Sequence, residues 1–213
     1  MAAALMILGA GAAGARTNED TLLDTTVRSY EATTTVILHP VTTGENGATE
    51  ELTLEIPAGS YLTEIETRRG ADGVDYTRVG LDTDAVNLPS DFWLRSSELL
   101  QSGLRLDIGS LRGMTYCYRY VKLYLLKKGM VKVYLPGGSA WMAKNTLPKH
   151  GFVKVKRGPQ NPKVNDVCVY SGGPSGHGHI EVRAPQGWYY GYGYSAKPIS
   201  RNGRPLIACY AKR

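Results

Sequence analysis

The stretch MTYCYRYVKLYLLKKGM, residues 114–130, decides how the chain is read. Cys117, Tyr120, Val121, Tyr124 and Leu125 recur at the spacing of one face of an α-helix. Thr115 is placed to cap that helix, and Lys127 and Lys128 suit the negative end of its dipole. Gly129 suits the left-handed residue that follows a helix. Cys117 then stands in the first turn, at the positive end of the dipole. That position favours the thiolate, which is the nucleophilic form of the side chain.

A nucleophilic cysteine needs a histidine to exchange its proton with, and later to protonate a leaving amine. Downstream runs YSGGPSGHGHIEVRAP, residues 170–185, which holds two of the four histidines, His177 and His179. Glycines 172, 173, 176 and 178 let this loop bend sharply. A strand then starts at His179, with His179, Glu181 and Arg183 on one face and Ile180, Val182 and Ala184 on the other. The histidine face is polar, so it is not expected to be plain core. Residues 166–170, 187–195 and 205–211 read as further strands. A hairpin with Tyr170 opposite His179 brings Asp166 opposite Arg183, as an ion-pair partner. One helix followed by an antiparallel sheet is an α+β layout.

Upstream, short apolar runs alternate with Gly-, Pro-, Asn- and Asp-rich turns: TTTVILHP, ELTLEIPAG, YLTEIETRRG, DYTRVGL and FWLRSSEL. Leu52, Leu54 and Ile56 carry a period of two. The pattern is that of a small all-β barrel over residues 33–100. It resembles a bacterial SH3-like domain, which implies a module that binds cell wall or peptide. Residues 101–112 read as a linker and residues 1–32 as a signal-like segment and tail. The apolar start MAAALMILGAGAAGARTNED is too short to span a bilayer and ends in Ala13-Gly14-Ala15, a small-residue cleavage pattern without the usual basic start. The chain is therefore expected to be exported, to the periplasm or the cell exterior, with no membrane span.

Charge divides the same way. Residues 1–110 hold 7 Lys+Arg and 17 Asp+Glu, whereas residues 111–213 hold 18 Lys+Arg and only two acids, Asp166 and Glu181. The basic half is expected to favour an anionic partner.

The order helix-Cys117, then Pro162 to Val169, then Gly178-His179-Ile180 resembles the CHAP domains and their NlpC-type relatives, cysteine amidohydrolases and peptidases with a papain-like core. Asn165 stands where that family has glycine, and Asn tolerates the left-handed conformation the turn needs. The resemblance implies a papain-like catalytic domain over residues 113–213, with Cys117 as nucleophile and His179 as base and acid. The family's third group lies on the strand after the histidine, which here offers only Tyr and Ser195; Glu181, on the histidine strand itself, is the one nearby carboxylate. His177, Trp188 and Tyr190 are candidate substrate-binding residues. The implied substrate is the peptide part of peptidoglycan, cleaved by a bacterial, secreted amidase or endopeptidase. No cofactor and no metal is expected, and the protein is expected to be a monomer.

Two points stay open in the sequence. Cys168 and Cys209 both sit mid-strand; they pair in a disulfide or remain reduced in the core, depending on a strand order that the sequence does not reveal. The alternative function is a non-catalytic basic protein that holds an anionic polymer, either wall polymer or nucleic acid, with its aromatic side chains stacking on the ligand.

Overall fold

A computed structural model describes residues 28–43, 49–107, 116–191, 193–198 and 203–213. The signal-like segment up to residue 27 and Thr115 lie outside them. Strands β1 (Ser29–Glu31), β3 (Val41–Thr43), β4 (Thr49–Glu51), β6 (Tyr61–Arg69), β7 (Asp75–Asp82), β8 (Asp91–Arg95) and β9 (Arg105–Asp107) form a seven-stranded antiparallel sheet in the order β4-β3-β8-β7-β6-β1-β9. Strands β2 (Val36–Leu38) and β5 (Leu54–Ile56) form a separate pair. Tyr30, Leu38, Ile56, Leu62, Val79, Leu81 and Leu94 make the core between them. At the β6–β7 turn the Asp72 carboxylate accepts the Val74 N–H at 3.0 Å, the short-range bond that makes Asp a turn former. Leu52, read as strand, lies outside β5 and is exposed.

The second sheet is built from β10 (Phe152–Val155), β11 (Val167–Tyr170), β12 (His179–Ala184), β13 (Gly187–Tyr189), β14 (Tyr194–Ser195) and β15 (Leu206–Lys212). Its order is β10-β15-β11-β12-β13-β14, antiparallel throughout. Helix α1 (Glu98–Gln101) follows β8, helix α2 is Cys117–Lys127, and a 3-10 turn (Ala140–Met142) leads into α3 (Ala143–Lys149).

Helix α2 lies between the two sheets. Nine of its eleven residues are buried, so it is covered all round rather than on the one face its periodicity shows. Tyr120, Val121, Tyr124 and Leu125 pack with Ile180, Val182 and Ala184 of β12. Arg119 and Lys122 point the other way. Arg119 Nε donates to Asp82 Oδ2 at 2.9 Å, and Lys122 Nζ donates to Asp82 Oδ1 at 2.8 Å. Tyr134 donates to the same carboxylate from its hydroxyl at 2.9 Å, and its ring lies on Gly80, where a Cβ would stand 2.6 Å from ring carbons.

The architecture corrects the expected fold class. The described residues are mostly β, 38% strand against 16% helix in three helices, and among them the three antiparallel sheets contain no papain-like core. One eleven-residue helix with two shorter ones of four and seven residues is too little helix to make such a domain. The expected barrel is also replaced: among the described residues the edge strands β4 and β9 do not pair, so the sheet is open. It also recruits β1 from the expected tail and β9 from the expected linker, because β9 and β6 both need β1 to satisfy their backbone groups.

Candidate active site

Cys117 is the first residue of α2. The N-cap is Tyr116, whose side chain makes no capping bond, so the dipole at the helix start is not met by a capping side-chain oxygen. At the other end Gly129 takes φ 66°, the left-handed position read from the sequence. Cys168 and Cys209, directly opposed on β11 and β15, form a disulfide, and Cys117 is the free cysteine.

His179 opens β12. Gly178 before it takes φ 73°, and a Cβ there would stand 2.4 Å from the Tyr170 carbonyl oxygen, so only glycine lets the loop close onto the strand at this point. The register is the one read from the sequence, Tyr170 opposite His179 and Cys168 opposite Glu181. Its expected ion pair is not formed. Asp166 is buried and accepts from Arg157 at 2.5 and 2.6 Å and from the Lys163 N–H at 2.8 Å, whereas Arg183 donates to the Ala184 carbonyl. Arg157 is nine residues from Asp166, closer in the chain than Arg183. Asn165 takes φ 71°, the conformation expected of the residue that replaces glycine.

The histidine face of β12 is not open to solvent. His179 is 2% exposed and Glu181 0%. The Glu181 carboxylate accepts the Tyr170 hydroxyl at 2.6 Å, and its other oxygen stands 3.9 Å from His179 Nε2, which is beyond hydrogen-bonding distance but close enough for charge. Tyr190 presents its ring edge-on to the imidazole at 5.7 Å. Neither ring nitrogen of His179 makes a hydrogen bond of ordinary geometry, so Cys117 and Glu181 act on it through longer, weaker hydrogen-bonding contacts and through charge. Burial works against the imidazolium, but hydrogen bonding and charge from the Cys117 sulfur and the Glu181 carboxylate beside the ring outweigh it, and the pKa is raised to about 9. The three residues expected to carry catalysis are therefore brought together.

The three expected binding residues separate. His177 is exposed and lines a cleft of about 470 Å³ between the sheets, with Tyr61, Asp84, Tyr116, Arg119 and Ser139. Tyr190 sits at the rim of the histidine. Trp188 is corrected: it is 1% exposed and packs on the Cys168–Cys209 disulfide with Tyr170, on the far side of the sheet from α2, so it cannot line a groove. Sequence reasoning missed Asp82, Asp84, Arg119, Lys122 and Ser139. Arg119 and Lys122 carried a signal, since they fall three apart on the helix face opposite the apolar one. Asp82 and Asp84 look like ordinary turn residues in GLDTDAV, and Ser139 has no local signature.

No helix among the described residues is long and apolar enough to cross a membrane. No protein-family model, curated protein or solved structure matches the chain.

Proposed function

We propose that the protein is an exported cysteine hydrolase that cleaves an amide bond in the peptide part of peptidoglycan. One observation carries the reading: the free thiol, Cys117, occupies the first position of a helix beside a buried imidazole that is itself backed by a carboxylate. The order of the motifs around Cys117, Pro162 to Val169 and His179, which resembles the CHAP and NlpC-type enzymes, supplies the substrate class. The disulfide supports export, because such bonds persist in oxidising compartments.

In this reading the Cys117 thiolate adds to the amide carbonyl while His179 is protonated. Backbone N–H groups at the start of α2 receive the oxyanion. His179 then gives its proton to the leaving amine as the C–N bond breaks, which leaves a thioester. Neutral His179 next takes a proton from water, hydroxide adds to the thioester, and the thiolate departs with its pair of electrons. Glu181 keeps the imidazolium stable without a direct hydrogen bond. Both reacting groups are covered and neither lines the cleft between Tyr116 and His177, so in this reading substrate held in that cleft reaches them only by displacing the side chains over them.

The test is chemical. Iodoacetamide at near-neutral pH, followed by mass spectrometry of the native protein, is expected to label Cys117, and Cys117→Ala is expected to abolish release of amines from purified peptidoglycan. Unchanged release by Cys117→Ala sinks the reading.

A second reading rests on surface charge. Both acids of the second half, Asp166 and Glu181, are buried, so among described residues 116–213 every exposed charged side chain is Lys or Arg. Such a surface suits an anionic wall polymer. Retention on purified wall material that vanishes with added salt, together with an inert Cys117→Ala phenotype, is the pattern it requires.

A further inference from the structure

Ser139 is 2% exposed, and its hydroxyl has two close partners. Its oxygen lies 2.9 Å from Asp84 Oδ2 and 2.8 Å from His177 Nδ1. A hydroxyl has one proton to donate and lone pairs to accept with. An ionised carboxylate only accepts, and a charged acceptor makes the stronger bond, so the Ser139 proton goes to Asp84. Toward His177 the Ser139 oxygen is then an acceptor, and Nδ1 must carry the ring proton.

The carboxylate is held in place for this. Asp84 Oδ1 accepts the N–H groups of Gly138 and Ser139, both at 3.0 Å, and a Cβ on Gly138 would stand 2.9 Å from that oxygen. On the other side the His177 carbonyl accepts the Trp141 N–H at 3.2 Å. Three segments, from the β7–β8 connection, the 3-10 turn and the glycine loop, converge on one hydroxyl.

We infer that Asp84 and Ser139 lock His177 in its Nδ1–H tautomer, the reverse of the form free imidazole side chains prefer, and thereby present Nε2 as a hydrogen-bond acceptor in the cleft. The group it receives is a hydrogen-bond donor, and the identification of that donor as a peptide N–H rests on the hydrolase reading; the tautomer does not. Asp84 and Ser139 are positioning residues. The first sheet thus supplies part of the site.

Asp84→Asn tests this with almost no change of shape. The N–H groups of Gly138 and Ser139 keep the amide oxygen at the Oδ1 position, so the amide NH₂ faces Ser139 and donates to it. The Ser139 proton is then released toward Nδ1, and the ring proton moves to Nε2. Long-range ¹H–¹⁵N correlation on the full chain at about pH 8, above the ordinary histidine range, reads this directly. In the parent protein Nδ1 of His177 is expected at the pyrrole-type shift and Nε2 at the pyridine-type shift; in Asp84→Asn the two exchange. Ser139→Thr, which keeps the hydroxyl, is expected to preserve the parent pattern. A parent protein with Nε2–H, or an Asp84→Asn variant that keeps Nδ1–H, overturns the inference. On a soluble muropeptide, Asp84→Asn is expected to raise KM about tenfold with kcat unchanged, the loss of about one hydrogen bond. An unchanged KM overturns the assignment of the ligand. Absence of hydrolysis by the parent protein refutes the hydrolase reading, while the nitrogen shifts still decide the tautomer.

Discussion

Almost no water reaches the His179 ring, yet the ring holds its proton. Burial favours the neutral form, but the Cys117 sulfur and the carboxylate of Glu181 outweigh it and raise the pKa from 6.5 to about 9. Between those two values the folded chain binds more protons at this site than the unfolded chain does. Stability from this group is therefore complete below about pH 6.5 and is lost as pH rises toward about 9. Thermal unfolding across that range should show Tm falling in the parent protein and staying nearly level in His179→Gln; equal slopes would mean that another group titrates. For activity, His179→Ala is expected to lose on the order of a thousandfold in kcat, the usual worth of a positioned acid and base. His177→Ala should stay within about tenfold, since only one hydrogen bond to substrate goes. Rates on a soluble muropeptide separate the two, and a dead His177→Ala beside an active His179→Ala would exchange their roles.

Helix α2 was legible because its apolar positions follow the 3.6-residue period and its C-terminal Lys127-Lys128-Gly129 ending is a strong local signal. The β11–β12 hairpin was legible too, down to its register, because alternation fixes which residues face together. What could not be read was which element lies against which. Strand β9 looks like linker because three residues carry no period, and Trp188 looks like a binding residue because a buried aromatic and a groove aromatic have the same sequence signature. The disulfide was undecidable for the same reason, since it depends on β15 lying next to β11. Its consequence is measurable. Protein unfolded without reductant should show one free thiol. Replacing Cys168 and Cys209 together by Ala should cost roughly 4 kcal/mol in urea denaturation, the chain-entropy value for a sequence separation of 41. Three free thiols, or no loss of stability, would count against the bridge.

Across the whole molecule, a buried ionic cluster links the sheets. Asp82 belongs to the first sheet, and Arg119 and Lys122, 3% and 0% exposed, belong to the helix that carries Cys117. Asp82→Ala leaves two cations buried without a carboxylate and is expected to cost about 3–5 kcal/mol in denaturant unfolding. Replacing all three side chains by leucine should cost less than that single change, because the penalty lies in unpaired charge rather than in lost attraction. A fragment spanning residues 113–213 lacks Asp82 and bares the Tyr134 ring, so it is expected to aggregate rather than fold. Strand order adds a consequence for biosynthesis. In the second sheet β15, the latest strand in the chain, sits between β10 and β11, which touch no other strand of the sheet on those sides. A growing polypeptide that already contains Cys117 and His179 still lacks the strand that joins its sheet and the thiol partner of Cys168. On the proposed hydrolase reading, peptide-cleaving capacity is therefore expected only after residues 206–212 have been made, and a product truncated before them is expected to be inert, with two bare strand edges that invite clearance.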